Sequence, residues 1–542
     1  MKKLTALLLC AALVFGCCAC SSVQPAPAAT DAPASAEPLP EAENALTCSG
    51  IMEYLGLDFG GGSMRIPETA RFAVLRGSWY DMGTQYAAQA SESIRYYTAS
   101  QLSNAIASWG SLESVYEALP EYEQLIRDVF PAYLDFVRGI SDGLTAQGFA
   151  IDYRDILICY TTLGPAPQAC MAVSAWGEAT ADGRTYAAIH SDSSHQAVYT
   201  QPAIIAYPDD GNAFMSIVGF TNAYINDKGL ACMGTMGYGF ADGDTAPGLP
   251  IGSNLLYNAA YASTAEEALE NHIEKLRAGS GEIIHYADEG GNAVILETTA
   301  GHYAVRRSGD NGERDWLLQS NGWLTDEMQS SSPELPDNTY RYNSAKHYLE
   351  SRVGGIVPDV LREALSQASY YDASSGKEVY GWTLDPDEAC FSPENKDIKY
   401  GCAMRRVIDL SARSVYILMG SEFDLISKVP GSLGTYCRVD LTEEPSRIAA
   451  QALDEARIQV WLAARDIEAA RESGEDVTQR LERLDIAREA VFTALNFQTA
   501  AGASPSETET LSLLAGSLTA SARAQCYARA AQSGDTAILR NY

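Results

Sequence analysis

Residues 170–192 read Cys170-Met171-Ala172-Val173-Ser174-Ala175-Trp176-Gly177-Glu178-Ala179-Thr180-Ala181-Asp182-Gly183-Arg184-Thr185-Tyr186-Ala187-Ala188-Ile189-His190-Ser191-Asp192. Two apolar runs, Met171 to Trp176 and Thr185 to His190, flank Asp182-Gly183, a dipeptide that favours a tight reversal between strands. The stretch predicts a β-hairpin in which a cysteine opens the first strand and Asp192 returns beside it. A cysteine so placed can attack the carbonyl of Ala169 in an N-to-S shift. Hydrolysis of the resulting thioester leaves Cys170 as a new N-terminus. Its freed α-amine titrates near pH ~8 when unperturbed and can take the thiol proton, so one residue supplies nucleophile and base. On the hairpin alone, a small buried cysteine is the simpler reading.

Outward from the hairpin, the chain divides into three regions. From about Ala70 to Gly164 the pattern is helical, with Tyr116, Leu119, Tyr122, Leu125 and Ile126, then Phe130, Leu134, Val137 and Ile140, at steps of three and four. From Cys170 to about Val439 short β-rich runs dominate, among them Ala203 to Tyr207, Met215 to Phe220, Glu282 to Tyr286, Ala293 to Glu297 and Val415 to Met419. Two helices interrupt them, one opening at Ser263-Thr264 with a capping-box glutamate, the other at Pro358. From Pro445 onward the chain is Ala-rich and helical. Leu453, Ala456, Val460, Ala464 and Ile467 form one stripe, and Val477, Leu481, Leu484, Ala487, Val491 and Leu495 a second, both read as bundle core.

The 542 residues hold 38 Lys+Arg against 70 Asp+Glu, a net charge of −32. That balance argues against a nucleic-acid binder, which needs a basic stripe, and against charge-driven attachment to an anionic membrane. The N-terminus offers another route to a membrane. Lys2-Lys3 precede an apolar run, Leu4 to Phe15, too short to span a bilayer, so residues 1–16 read as a signal peptide. Gly16-Cys17 resembles the bacterial lipoprotein cleavage box, with Cys17 as the lipidated residue and Cys20 as a second candidate. Residues 17–69 begin as an Ala-, Pro- and Ser-rich tether. Outside the export segment, Cys48, Cys159, Cys170, Cys232, Cys390, Cys402, Cys437 and Cys526 are scattered, with neither a disulfide framework nor a zinc pair.

Two other motifs compete with Cys170. Gly139-Ile140-Ser141-Asp142-Gly143 has the serine-hydrolase spacing, but Phe136-Val137-Arg138 continues a helical stripe where a nucleophile elbow needs a strand. Ser141 is therefore expected at a helix end. His190, Asp192 and His195 match neither the zinc helix motif nor a calcium loop, so no metal and no cofactor are expected.

The hairpin resembles the start of the catalytic chain in cysteine N-terminal-nucleophile (Ntn) hydrolases, specifically the isopenicillin N acyltransferase-like family, distantly related to choloylglycine hydrolases. Other segments resemble it too. Leu75 to Tyr86, with Gly77 and Gly83, is similar to the family's entry segment, and Gly139 to Gly143 followed by Asp152 to Leu157 to its Gly-Ile-x-x-Gly helix and aspartate-leucine stretch. Asn226-Asp227-Lys228-Gly229-Leu230 resembles its Asn-x-x-Gly-Leu turn, Ser320-Asn321-Gly322 its Thr-Asn-His-like triplet, and Tyr340-Arg341-Tyr342 its arginine segment. The resemblance covers about residues 70 to 440. It implies Cys170 as nucleophile and Ala169–Cys170 as the cleavage site. It implies Asp192 as partner of the α-amine, Asn321 as an oxyanion-hole donor and Arg341 as an orienting residue. A second donor is expected from Gly234-Thr235-Met236-Gly237. Where the family usually carries Arg-Asn this chain reads Ile189-His190, with His190 as the candidate stand-in, and Ala169 replaces a frequent Gly.

The expectation is an α+β chain, an αββα Ntn-hydrolase sandwich. A helical segment (70–169) precedes the catalytic sandwich (170–440), and a C-terminal helical appendage (441–542) follows it. The expected activity is hydrolysis or acyl transfer at a linear amide or dipeptide bond of a small substrate. The expected location is outside a bacterial membrane, on a lipid anchor. The alternative is a non-catalytic surface binding lipoprotein that keeps the sandwich.

Overall fold

The computed structural model describes residues 71–534, apart from 150, 160, 162–168, 194–201, 217–222, 238–248, 250, 277–280, 332–338, 366–368, 373–376, 381–400 and 420–434. The leader, Cys17, Cys20 and the tether lie outside the described residues, as do His195, Cys48 and Cys390.

The chain mixes helices with two large sheets. The larger has eight strands in the order β1 (Phe72–Gly77), β4 (Ala203–Pro208), β5 (Phe214–Ser216), β6 (Ala223–Asn226), β7 (Leu230–Met236), β8 (Glu282–Asp288), β9 (Ala293–Thr298) and β10 (Tyr303–Arg307). The smaller has six, in the order β11 (Trp316–Gln319), β2 (Ala169–Gly177), β3 (Gly183–Ser193), β14 (Gly401–Asp409), β15 (Ser414–Met419) and β16 (Thr435–Asp440). A separate pair joins β12 (Ser369–Asp372) to β13 (Lys377–Tyr380). Within the two sheets β1 and β4 pair in parallel, and the other described pairs run antiparallel.

Strand alternation assigns the faces. Val74, Ala172, Ile189, Ile205, Met233, Ile283, Ile295 and Val415 belong to one apolar cluster between the sheets. Leu75, Ile204, Tyr224, Cys232, Ile284 and Leu296, on the far face of the larger sheet, pack against α1 (Trp79–Trp109), α2 (Leu112–Val129), α3 (Pro131–Ala146), α4 (Tyr153–Ile158), α5 (Ile251–Tyr261) and α6 (Ala265–Asn271). Two short helices, α7 (Asp326–Ser331) and α8 (Thr339–Glu350), follow β11. Met171, Val173, Ala188 and Leu318, on the outer face of the smaller sheet, pack against α8 and α9 (Pro358–Ala364). Among the described residues no helix is long and apolar enough to cross a membrane.

Several elements depart from the sequence expectation. The 70–169 segment opens with strand β1, not a helix. Phe72, Ala73, Val74 and Leu75 are buried on both faces, so the run carries no alternation. Asp182-Gly183 does not form a two-residue turn. Gly177 pairs with Gly183 across a longer connection, and Gly183 supplies the positive φ of 77° that starts β3. The β region holds α5, α7 and α8 besides the two expected helices. In α5 the buried Ser253, Asn254 and Asn258 hide the amphipathic pattern. At α6 the capping box is split: Thr264 Oγ1 accepts from Glu267 N–H (3.2 Å), while the Glu267 carboxylate accepts from Ser263 N–H (2.8 Å).

The C-terminal helices are not an appendage. α10 (Pro445–Glu472), α11 (Thr478–Ala503) and α12 (Glu507–Ser533) deliver Ile448, Ala449, Ala501, Leu511, Leu514, Leu518 and Cys526 into the cluster between the sheets. They close the flank where the edge strands β1 and β16 would stand open, and Thr519 Oγ1 accepts from Arg71 N–H (3.1 Å) and Phe72 N–H (3.3 Å) at the edge of β1. Leu481 and Leu495, assigned to the bundle core, are instead 39% and 38% exposed.

Candidate active site

Cys170 is the second residue of β2 and is completely buried. Alternation puts it on the inner face with Ala172 and Ser174, opposite Ser191 of β3. β11 pairs with β2 up to Gln319 opposite Ala172, and the chain runs on alongside as Ser320 and Asn321. The Asn321 side chain turns back to Cys170: its Oδ1 accepts from the Cys170 N–H at 2.8 Å. Its Nδ2 donates to the carbonyl of Met236, the last residue of β7, at 2.7 Å. One neighbour can only donate and the other can only accept, so the amide has one orientation. Asn321 therefore bridges the two sheets and holds the nitrogen that a cut before Cys170 would turn into an α-amine. The expected oxyanion donor acts on Cys170 as an acceptor.

Further polar links cross between the sheets nearby. Thr235 Oγ1 donates to Ser320 C=O (3.0 Å), and Gln319 Nε2 to Ile283 C=O (3.1 Å). Ser174 Oγ lies 2.8 Å from His285 Nε2. Burial first, then the charge of Arg306, pulls the His285 pKa down to about 3, so the imidazole is neutral at ordinary pH. Of the segment 234–237, the Thr235 hydroxyl is thus engaged, and Gly237 N–H donates to Gly281 C=O at 2.8 Å. Gly237 and Gly281 make room for the Trp323 ring, which a Cβ on either would meet at 2.2 and 2.9 Å.

Asp192 is reached only by its backbone, which pairs with Ala169 on one side and Cys402 on the other. The register thus delivers it to the residue before Cys170; its side chain lies outside the described residues. Arg341 falls in the first turns of α8, its side chain likewise outside them. His190 pairs with Met171 and shares the parity of Ala188, the outer face, so alternation does not bring it to the Cys170 side. Among the described residues no group of three or more His, Cys, Asp or Glu could hold a metal ion.

Ser141 lies inside α3 and is buried. The glycines of its motif have a packing reason. A Cβ on Gly139 would come within 2.1 Å of Tyr80 C=O, and one on Gly143 within 2.7 Å of the Ala87 side chain. They let α3 cross α1 backbone to backbone. Cys437, whose thiol donates to Gln525 Oε1 (3.6 Å), and Cys232 are both buried, and burial drives both thiols well above their ordinary pKa, away from nucleophilic thiolate. Sequence reasoning missed Arg406, which is fully buried on β14 opposite Ile189 and shares the inner-face parity of Ile408. It also missed Arg306 beside His285. Each sits in an Arg-Arg pair, Arg306-Arg307 and Arg405-Arg406, which reads as surface charge and carries no signal of burial.

No family model matches the chain. An uncharacterized protein of Archaeoglobus fulgidus is 24% identical over 403 residues, which is 65% of this chain and 64% of that protein, so the chain spans a little under two thirds of its relative's length. Among solved structures, penicillin V acylase from Agrobacterium tumefaciens aligns with 51% of this chain and 78% of its own at 16% identity and a TM-score of 0.25. A mutant of conjugated bile acid hydrolase from Clostridium perfringens aligns with 50% of this chain and 93% of its own at 11% identity and a TM-score of 0.28.

Proposed function

We propose that this chain is a self-maturing cysteine hydrolase of linear amide bonds, built on an αββα Ntn sandwich with Cys170 as nucleophile. The observation that carries the reading is the hydrogen bond from Cys170 N–H to Asn321 Oδ1, at the start of an inner strand. The motif resemblance of residues 70 to 440 supports it independently.

In maturation the Cys170 thiol adds to the Ala169 carbonyl carbon, and its proton passes to the departing nitrogen. The C–N bond breaks, an Ala169 thioester forms, and the Cys170 α-amine is freed. Water then cleaves the thioester to the Ala169 carboxylate and the thiol. In turnover the α-amine takes the thiol proton as sulfur attacks a substrate amide, and returns it to the leaving amine. Water, or a second amine in acyl transfer, releases the acyl group. Asn321 Oδ1 holds the amine throughout, with Asp192 entering from the Ala169 side of the register. Arg341 orients the site from α8. Residues 1–16 export the protein, and a lipid on Cys17 tethers it to the outer face of a membrane.

Mass spectrometry of the purified protein tests the reading. Two chains separating at Ala169–Cys170, and one intact chain for Cys170→Ala, are expected. A wild type that stays whole and turns over no acyl-amide or dipeptide overturns it in favour of a binding lipoprotein.

A further inference from the structure

The segment carrying Asn321 is pinned on both sides by one buried guanidinium and two buried carboxylates. Arg306, on β10 and 2% exposed, donates from Nε to Glu297 Oε1 (3.2 Å) and from Nη1 to Glu313 Oε2 (3.2 Å). Its Nη2 donates to Leu318 C=O (2.8 Å). Glu297 also accepts from Leu324 N–H (2.9 Å), Thr325 N–H (3.1 Å) and the Thr325 hydroxyl (2.8 Å). Glu313 accepts from Leu318 N–H (3.2 Å) and, on its other oxygen, from the Tyr342 hydroxyl. Leu318 is thus held by both backbone polar groups before Asn321, and Leu324 and Thr325 are held after it. Through Tyr342 the same cage grips the residue next to Arg341.

Stability is a poor account of such a cage. Replacing a buried ion pair by well-packed apolar side chains is often neutral or stabilising, because desolvation consumes the Coulombic gain. Apolar packing is non-directional, however, and cannot fix a backbone to a fraction of an ångström at a chosen residue. A planar guanidinium and fixed carboxylates can. Asn321 needs that control, since its one amide must meet Cys170 N–H and Met236 C=O together. Misplacing a reacting group by about 1 Å can cost ~10²-fold in rate.

We propose that Arg306, Glu297 and Glu313 are positioning residues for the Cys170 site, acting through the 318–325 segment on Asn321. The proposal rests on the Asn321–Cys170 contact being part of the working site. The test uses the full chain with Thr325→Val and Tyr342→Phe, each removing one hydroxyl from the cage rim while the charges stay paired, and Arg306→Lys as the stronger change. Each hydroxyl variant should lower kcat about tenfold with KM within about twofold, as the 318–325 segment shifts by a fraction of an ångström. Tm should fall as well, because each variant also loses a buried hydrogen bond to a charged group, so kcat is read per folded molecule. In the uncleaved Cys170→Ala background, the residue-170 amide should exchange hydrogen about tenfold faster, as its hold on Asn321 loosens. Unchanged exchange and unchanged kcat per folded molecule, with only a lower Tm, overturn the proposal. A wild type that neither cuts nor turns over removes the enzyme reading, and the exchange measurement then decides positioning by itself. If Arg306→Lys does not fold, the two hydroxyl variants decide.

Discussion

The two flanks of the space between the sheets are filled in opposite ways. Beside β15, β16 and β1 the filling is mainly apolar, with Ile448, Leu511, Leu514, Leu518, Cys437 and Val439 around the buried Gln525. Beside β2 and β11 it is crossed by polar links through Ser174, His285, Thr235, Gln319 and Asn321. Each buried polar group there must be paired merely to break even, whereas each buried leucine on the other flank contributes about 1.5–3 kcal/mol. The difference teaches where to look for chemistry. A protein that could have closed both flanks with leucine and alanine kept one of them polar, and that one holds the cysteine whose backbone nitrogen is gripped by a side chain.

Paired substitutions can break this contrast. The largest effect is expected for Cys170→Ala, which should abolish cutting and lower turnover by more than about 10³-fold while leaving the melting temperature nearly unchanged. Its counterpart Cys437→Ala should alter stability alone; a comparable loss of turnover there would erase the distinction. Next comes Asn321→Leu, which keeps the branched shape with two methyl groups but cannot hold Cys170 N–H. Turnover should fall about 10²-fold, as for loss of one acid–base partner, read from kcat on protein shown to be folded. On the apolar flank Leu518→Ala should cost about 2–5 kcal/mol in denaturant unfolding, with turnover per folded molecule intact.

A smaller effect sharpens the contrast through pH. His285 is neutral when buried, with its folded pKa lowered to about 3, while the unfolded chain protonates near 6.5. The unfolded state therefore binds the extra proton, and stability falls as pH drops from 6.5 towards 3. At pH 5 the loss from this group is about 2 kcal/mol, and His285→Gln should flatten that part of the acid limb. The smallest effect belongs to the rim of the apolar flank. Arg76→Ala removes partly exposed ion pairs to Glu444 (2.7 Å) and Glu507 (3.8 Å) and should cost less than about 1 kcal/mol. A larger loss would mean that the C-terminal helices are held at the surface, not by their leucines.

Much of the β region was legible as short apolar runs bounded by turn residues, although these strands too are buried on both faces. Met171 to Trp176, Thr185 to His190 and Glu282 to Tyr286 fall inside β2, β3 and β8. β1 and α5 were not: β1 is a single strand leading straight into a helical segment, and buried polar residues hide the pattern of α5. Ser141 was expected at a helix end but lies inside α3, and only the crossing of α1 and α3 explains its glycines. The stripe of α11 put Leu481 and Leu495 into a core that they do not reach, because periodicity fixes a face and not what covers it.

By itself the sequence determined a cysteine at the opening of a hairpin strand, an aspartate returned to its side by register, and an Ala-rich helical region at the end. These are local properties: spacing of apolar residues and the backbone freedom of glycine fix them within a few residues of chain. Which way Asn321 faces Cys170, 151 positions away, was decided only by tertiary structure. So was the use of the last helices as a plug between the sheets. Both depend on which edges the sheets leave open and on which donors remain for each buried acceptor, and no window of sequence contains those quantities.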